Sequence, residues 1–390
     1  MYKLRIFIVF FVVFLSGFYI YAVILEKKDP PKKSVSPLKA KEEVITSPID
    51  DSIKAISKRF YEETLISSKF NGGILVAKNN QILFEAYNGL EALTDGKRID
   101  SLTSFHLAST SKTFTGIAIL KLFDSLSLSI DEPIKKFIPE FPSTNITVRQ
   151  LLNHRSGLPN YVYFIEKIGW SNKNRITNEE LLKQIISKWH LLKVAKADSR
   201  FEYSNTNYAI LASIIEKITN QTFSTYIDNY IFSKIGMKSS FVYTAEKVDK
   251  ILPSFKSGGQ KEPLMFLDNV YGDKNIYSTT RDLLKWDAAL NDTGFLSIKL
   301  KEEAFRGYSF EKTGIRNYGL GWRLFDLPSG KKIVFHNGWW HGNNIAFSRL
   351  PQDSLVIIVL GNQYNTNIYK AVQIARALSG YESILEESQQ

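Results

Sequence analysis

A serine followed three residues later by a lysine stands where the chain turns from a loop into an apolar helix. In the segment HLASTSKTFTG, residues 106–116, Ser109 precedes Lys112 by about one helical turn. A serine hydroxyl is a weak nucleophile at neutral pH and needs a neighbouring base to take its proton as it attacks. The lysine amine can reach that hydroxyl from the same helix face, so the pair predicts nucleophilic catalysis.

The Ser-x-x-Lys pattern alone does not establish a site. It begins at Ser36, Ser109, Ser309 and Ser329, and a serine cap followed by a solvated lysine is an ordinary helix start. The rest of the chain has to distinguish the four occurrences.

Two further segments carry residues that suit the same chemistry. FEYSNTNY places Tyr203 and Asn205 before an apolar-periodic helix, and FHNGWWHGN places His336 at the end of a strand-like run. Tyr203 is a second candidate proton carrier, and a positive field from Lys112 and His336 would favour its phenolate. Whether Lys112 or Tyr203 takes the first proton stays open. Asn205 can donate its amide to a substrate carbonyl and to Lys112.

An acyl-transfer site also needs fixed donors for the developing oxyanion. The helix start at Ser109 supplies its own backbone N–H and the positive end of the helix dipole. The strand after His336 supplies a second N–H, from Trp339. Gly338 lets that strand approach a substrate closely, because glycine has no side chain.

The segments, in this order, resemble the serine β-lactamase and penicillin-binding-protein superfamily, in particular its class C-like branch of DD-peptidases, D-amino-acid peptidases and esterases. The resemblance covers about residues 60–385 and implies a serine hydrolase that forms an acyl-enzyme on Ser109. The similar stretches are the three motifs STSK (109–112), YSN (203–205) and HNG (336–338), together with LLNHRSGLP (151–159) and YSTTRDLLKW (277–286).

The resemblance and the element pattern predict an α+β fold of the β-lactamase/DD-peptidase type. An antiparallel sheet flanked by helices is expected from about residues 51–120 and 290–385, and a mainly helical part from about 121–289 meets it along a cleft. We also predict a hairpin turning at Asn79 and Asn80, and a strand over YGLGWRLFD, residues 318–326.

The N-terminal residues predict a membrane anchor. After a tail of residues 1–5, residues 6–25 carry no charge and are long enough as a helix to cross a hydrocarbon core of about 30 Å. A cleaved signal peptide would have a shorter apolar core. Residues 26–50, with their Pro, Lys, Ser and Glu, are predicted to be an exposed linker. We expect the hydrolase domain, residues 51–390, on the extracytoplasmic side of the membrane.

The amino-acid composition limits which cofactors and binding partners can be expected. The net charge is +11, but the 50 lysines and arginines are scattered, so we predict no nucleic-acid binding. A basic exterior suits a protein near an anionic membrane or wall polymer. The absence of cysteine excludes thiolate catalysis, and the five histidines lack metal-ligand spacing. We therefore predict neither a metal nor another cofactor.

The resemblance leaves a choice of substrate. Relatives that bind a free substrate carboxylate usually have hydroxyl residues around the third motif, whereas Asn337 and Trp339 stand there in this chain. The difference favours an ester, an amide or a D-amino-acid peptide with a bulkier or uncharged end. A peptide would be cleaved as by a DD-carboxypeptidase. We expect the substrate to be a small molecule or a peptidoglycan-like peptide or ester. The alternatives are a β-lactamase and a non-catalytic envelope protein that uses the cleft for binding.

Two other segments are assigned no chemistry. A literal Lys-Thr-Gly at residues 312–314 is rejected as the third motif, because it precedes YGLGW whereas the third motif of the family follows that stretch. The loop at His154 is interpreted as scaffold beside the cleft.

Overall fold

A seven-stranded antiparallel sheet combines strands from both ends of the folded chain. The computed structural model describes residues 47–94, 96–378 and 381. The strands of this sheet are β1 (Gly72–Lys78), β2 (Gln81–Asn88), β6 (Arg316–Tyr318), β7 (Arg323–Asp326), β8 (Lys332–Trp340), β9 (Asn343–Leu350) and β10 (Leu355–Gly361). Their spatial order is β2-β1-β10-β9-β8-β7-β6. The predicted α+β fold with an antiparallel sheet is confirmed.

Helices cover the sheet and fill the chain between β2 and β6. A second, three-stranded sheet in the order β3-β5-β4 lies among them, with strands β3 (Phe105–His106), β4 (Phe241–Val242) and β5 (Ile276–Ser278). The α-helices are α1 (Pro48–Phe60), α2 (Ser111–Ser125), α3 (Val148–Leu152), α4 (Tyr161–Phe164), α5 (Asn178–Ser187), α6 (Asn205–Thr219), α7 (Phe223–Ile227), α8 (Ser233–Ile235), α9 (Thr280–Asn291), α10 (Ile298–Phe305) and α11 (Val372–Arg376).

Alternating side chains give the large sheet two buried faces. Along β1, Ile74 and Val76 join the core beneath α1 and α11, whereas Leu75 and Ala77 join the core shared with the helical part. Successive residues of a strand point to opposite faces. An unbroken apolar run such as GGILVA therefore fits a strand covered by helices on both sides.

Helix α2 occupies the centre of the helical part. Twelve of its fifteen residues are buried, namely 111–120, Leu122 and Phe123, as expected for a helix enclosed by other elements. Phe114 stacks on Trp286 of α9 with ring centroids 4.3 Å apart. Gly116 faces the Leu320 carbonyl, where a Cβ would come within 2.8 Å of the oxygen. This tight packing holds the helix that carries Lys112.

The predicted hairpin and the predicted strand have different outcomes. Asn79 and Asn80 have φ of 50° and 63° and join β1 to β2 as a two-residue turn, which confirms the hairpin. The strand expected over residues 318–326 is wrong, because a turn separates β6 from β7. In that turn Gly321 has φ of 91°, a left-handed conformation that glycine adopts without strain.

The predicted membrane span at residues 6–25 and most of the predicted linker at 26–50 lie outside the described residues. None of the helices that the structure describes is both long enough and apolar enough to span a membrane. The first described helix begins at Pro48 and is capped by reciprocal hydrogen bonds between Ser47 and Asp50.

A buried ion pair joins the sheet to α9 and makes a stability prediction. Arg349 of β9 donates to Asp287 Oδ1 at 2.5 Å and to Asn291 Oδ1 at 2.7 Å, and its side chain is 1 % exposed. Arg349→Met leaves the Asp287 carboxylate buried without its partner, which we expect to lower the free energy of unfolding by about 3–5 kcal/mol.

Urea denaturation of this variant and of the double variant Asp287→Leu/Arg349→Met checks the prediction. The double variant should recover part of the loss, because it removes both charges. Equal losses in the two variants would contradict it.

Candidate active site

The end of β8 that extends beyond its pairing with β7 lines a cleft of about 690 Å³ together with residues of the helical part. The lining includes five of the residues selected from the sequence, namely Ser109, Tyr203, Asn205, Gly338 and Trp339. These residues come from the turn before α2, the chain before α6, the first turn of α6 and the end of β8. The fold thus brings three distant motifs to one cavity.

Ser109 and Lys112 are in hydrogen-bonding contact. Lys112 Nζ lies 3.2 Å from Ser109 Oγ, and it donates a second hydrogen bond of 2.8 Å to the carbonyl oxygen of Asp273. The Lys112 side chain is fully buried. Ser109 itself belongs to a 3-10 turn, Ala108–Thr110, that leads into α2. The lysine is therefore held in one position against the hydroxyl.

Tyr203 is fixed beside this pair by His154. The two rings lie 4.3 Å apart between centroids. The backbone N–H of Glu202 donates to the His154 carbonyl at 2.9 Å, and that of Ser204 donates to His154 Nδ1 at 3.2 Å. Lys112 Nζ lies 5.0 Å from the Tyr203 ring centroid. His154, interpreted as scaffold, thus anchors the chain on both sides of Tyr203.

Asn205 lines the cleft with a polar atom that lacks a partner. Its Oδ1 is buried and accepts no hydrogen bond from the described residues. The expected hydrogen bond between Asn205 and Lys112 does not occur among the described residues, since the amine contacts Ser109 and Asp273 instead. Buried polar groups are normally satisfied, so this oxygen is available to a ligand that enters the cleft. The substrate-binding role of Asn205 stays a prediction.

His336 lies behind the cleft rather than in its lining. Its side chain is fully buried, and Nε2 is 3.3 Å from the Tyr318 hydroxyl. Burial is the main reason that the pKa of His336 lies well below its usual value, and the nearby charges of Arg323 and Lys112 lower this pKa further. The expectation that His336 contributes positive charge is therefore wrong, because a neutral imidazole is the stable form in this environment.

Arg323 supplies a positive charge that the sequence analysis did not identify. It stands on β7, lines the cleft, and its guanidinium carbon is 5.3 Å from the Tyr203 ring centroid. It pairs in register with Phe335, next to His336. The only sequence indication was a basic residue within the apolar run GWRLFD, and its meaning depends on how β7 pairs with β8.

The end of β8 packs directly against the turn that carries the nucleophile. A Cβ on Gly338 would overlap the carbonyl oxygen of Leu107, so glycine is needed here for contact with that turn. Its expected role in the approach of a substrate stays a prediction. Trp339 is 63 % exposed and lines the cleft. The role of its backbone N–H as an oxyanion donor stays a prediction.

The Lys-Thr-Gly segment that was rejected as the third motif lies outside the cleft lining. Residues 312–314 form part of an exposed loop between α10 and β6, consistent with its rejection as the third motif. Within residues 47–94, 96–378 and 381, no three histidine, aspartate or glutamate side chains cluster as a metal site would require.

Comparisons with known proteins agree with this architecture. A family model described as Beta-lactamase matches residues 59–381. Penicillin-binding protein 4* of Bacillus subtilis (strain 168) is 29% identical over 344 residues, which is 81% of this chain and 76% of that protein. A penicillin-binding protein from Bacillus halodurans superposes with a TM-score of 0.71 at 22% identity, covering 81% of this chain and 98% of that one. D-amino acid amidase from Ochrobactrum anthropi SV3, complexed with L-phenylalanine, superposes with a TM-score of 0.67 at 21% sequence identity. The match covers 85% of this chain and 100% of that one.

Three buried histidines make stability depend on pH. Burial lowers the pKa of His106 to about 4, and the pKa values of His154 and His336 lie well below the usual value for the same first cause. Below about pH 6.5 these histidines bind protons in the unfolded chain but stay neutral in the native protein. The free energy of unfolding should therefore fall between pH 7 and 5, by about 2 kcal/mol for His106 alone.

Chemical denaturation at pH 7 and pH 5 measures this effect. His336→Asn should lose less stability on acidification than the wild type, because one group that titrates only after unfolding is gone. A wild-type protein equally stable at both pH values would contradict the prediction.

Proposed function

This chain belongs to the Beta-lactamase family of serine hydrolases, and we propose that it forms an acyl-enzyme on Ser109 and cleaves a D-amino-acid peptide that ends in a free carboxylate. The observation that carries the proposal is the 3.2 Å contact between Ser109 Oγ and the buried Lys112 Nζ at an open cleft. A nucleophile in contact with a fixed amine is the arrangement that acyl transfer requires.

Acylation proceeds by attack of Ser109 Oγ on the substrate carbonyl carbon. The Oγ–C bond forms and the hydroxyl proton passes to Lys112, which we assign as the first base because it contacts Oγ. The tetrahedral intermediate then collapses, its C–N bond breaks, and the leaving amine receives the proton through Tyr203. Water attacks the resulting ester, restores the Ser109 hydroxyl and releases the acid.

The charges around the cleft suit this reaction. The Arg323 guanidinium carbon lies 5.3 Å from the Tyr203 ring centroid. The Lys112 amine, which becomes positively charged when it takes the Ser109 proton, lies 5.0 Å from the same centroid. Positive groups held in place before the reaction stabilise negative charge that develops on the substrate. The backbone N–H groups of Ser109 and Trp339 are the proposed direct oxyanion donors.

Arg323 supports a substrate with a terminal carboxylate. The replacement of hydroxyl residues by Asn337 and Trp339 favours an uncharged end when the sequence is considered alone. Arg323 lines the same cleft, and a guanidinium binds a carboxylate through two parallel hydrogen bonds. We propose that this arginine takes over the role of the missing hydroxyls. The D-configuration rests on the family resemblance alone, so the assays below include both configurations.

An ester with a bulky acyl or alcohol group is the second candidate substrate. Trp339 supports it, because an indole that is 63 % exposed at the cleft offers apolar contact area without selecting for charge. Such a substrate would not need Arg323.

We also propose, from the sequence alone, that residues 6–25 anchor the protein in a membrane with the hydrolase domain outside the cytoplasm. A peptide substrate of the cell envelope would be accessible from that side.

Ser109→Ala should abolish covalent labelling by a fluorescent penicillin and by a fluorophosphonate, because both reagents acylate or phosphonylate a nucleophilic serine. Ser329→Ala is the matched control, since Ser329 begins another Ser-x-x-Lys segment but is exposed at a turn outside the cleft. Gel fluorescence of the purified proteins measures the labelling. Persistent labelling of Ser109→Ala, or loss of it in Ser329→Ala, would contradict the assignment. A wild-type protein that neither reagent labels would favour the non-catalytic alternative.

Arg323→Gln should raise KM for a D-Ala-D-Ala peptide by about 10- to 100-fold, the range expected for losing a charge-assisted hydrogen bond. The same peptide with a C-terminal amide should change by less than threefold, because it carries no carboxylate. Arg281→Gln, at an exposed ion pair with Glu85, is the control variant. Kinetics with both peptides and their L-configured counterparts measure the effect. An equal increase in KM for the peptide with a free carboxylate and for the peptide amide would contradict the proposed role of Arg323.

A further inference from the structure

We infer that His106 is a positioning residue for the nucleophile: its imidazole Nδ1 holds the backbone turn at Ala108 in the conformation that presents Ser109 to Lys112. The inference rests on the proposed function of Ser109. It adds a residue outside the three motifs, three positions before the nucleophile and absent from the cleft lining.

The turn at Ala108 is strained. Ala108 has φ of 47°, in the left-handed region where the Cβ of an L-residue approaches its own backbone unfavourably. It is fully buried and directly precedes Ser109. A residue in this conformation persists only when its surroundings hold it there.

His106 provides that restraint through a hydrogen bond to the backbone. The N–H of Ala108 donates to His106 Nδ1 at 3.0 Å. The imidazole is itself buried and packs edge-on against Tyr277, with ring centroids 4.9 Å apart. The acceptor is therefore fixed relative to the small sheet that holds His106 and Tyr277.

Neighbouring hydrogen bonds determine which ring nitrogen carries the proton. The Asn275 amide nitrogen donates to the carbonyls of Asp268 and Val270, at 2.6 and 2.8 Å. Its oxygen then faces His106 Nε2 at 2.9 Å and must accept from it. With the proton on Nε2, Nδ1 carries no proton and can accept the hydrogen bond from the Ala108 N–H. Burial lowers the pKa of His106 to about 4, so this neutral form persists at ordinary pH.

The same network reaches the segment that holds the lysine. Asn275 follows the Asp273–Lys274 pair, and the Asp273 carbonyl is the second acceptor of Lys112. The backbone of Ile276 accepts from Leu107 at 2.8 Å and donates to Ser111 Oγ at 3.1 Å. His106 therefore connects the turn carrying the nucleophile to the chain that fixes its base.

Two amide substitutions separate the two hydrogen bonds of His106. In His106→Asn the side-chain oxygen can occupy the position of Nδ1, so the acceptor for Ala108 is kept and the link to Asn275 is lost. In His106→Gln the longer side chain can place its amide near the position of Nε2, so the link to Asn275 is kept and the acceptor is lost. Both variants remove the ring, so general damage from losing the imidazole is common to them.

The experiment measures acylation by a fluorescent penicillin and by a fluorophosphonate, with the maximal rate of labelling and the half-saturating concentration determined separately. We expect His106→Gln to lower the maximal rate at least tenfold with little change in half-saturation, because small displacements of reacting atoms cost large factors in rate. His106→Asn should stay within threefold of the wild type. His190→Asn, at an exposed position outside the cleft, is the control.

Equal maximal rates in the two His106 variants, whether both normal or both reduced, would overturn the inference. Melting temperatures identify a variant that has lost its fold. Crystal structures of both variants provide a test that does not need reactivity: Ala108 should keep its left-handed conformation in His106→Asn and lose it in His106→Gln. If the wild type reacts with neither reagent, the proposed function fails, and these structures still decide whether His106 positions the turn.

Discussion

The structure depends on the burial of one lysine amine in the first turn of an apolar helix. Lys112 is fully buried in α2, and its amine has two polar partners, Ser109 Oγ and the Asp273 carbonyl. An amine removed from water is costly unless its hydrogen bonds are replaced. The turn before α2 and the chain before β5 must therefore meet at this point. Their meeting creates the contact between a nucleophile and a base.

Strand β8 completes the site by pressing against the same turn. Gly338 allows the strand to touch Leu107 and Ala108, and the strand end carries Trp339 to the cleft. The strain at Ala108, the hydrogen bond from its N–H to His106 and the fit of Gly338 then act on one short segment. The seven-stranded sheet and α2 serve to bring these local restraints together with an accuracy that loops alone would not provide.

Much of the site could be predicted from the sequence because its motifs are short and local. Ser109 and Lys112 are close through helix geometry, and the order of the three motifs indicated the family. Arg323 could not be predicted, because its position beside Tyr203 depends on the register of β7 against β8. The neutral state of His336 likewise depends on burial behind the strand, which spacing does not reveal. The turn at Gly321 was missed because its glycine lies within an apolar run that resembles a continuous strand.

The most direct test of the account is to locate the covalent intermediate. After incubation with a penicillin and rapid acid quenching, proteolysis and mass spectrometry should find the acyl adduct on the peptide that contains Ser109, and tandem spectra should place it on that residue. An adduct on another serine or on Tyr203, or turnover of substrate by a protein from which Ser109 has been removed, would contradict the claim that this hydroxyl is the nucleophile.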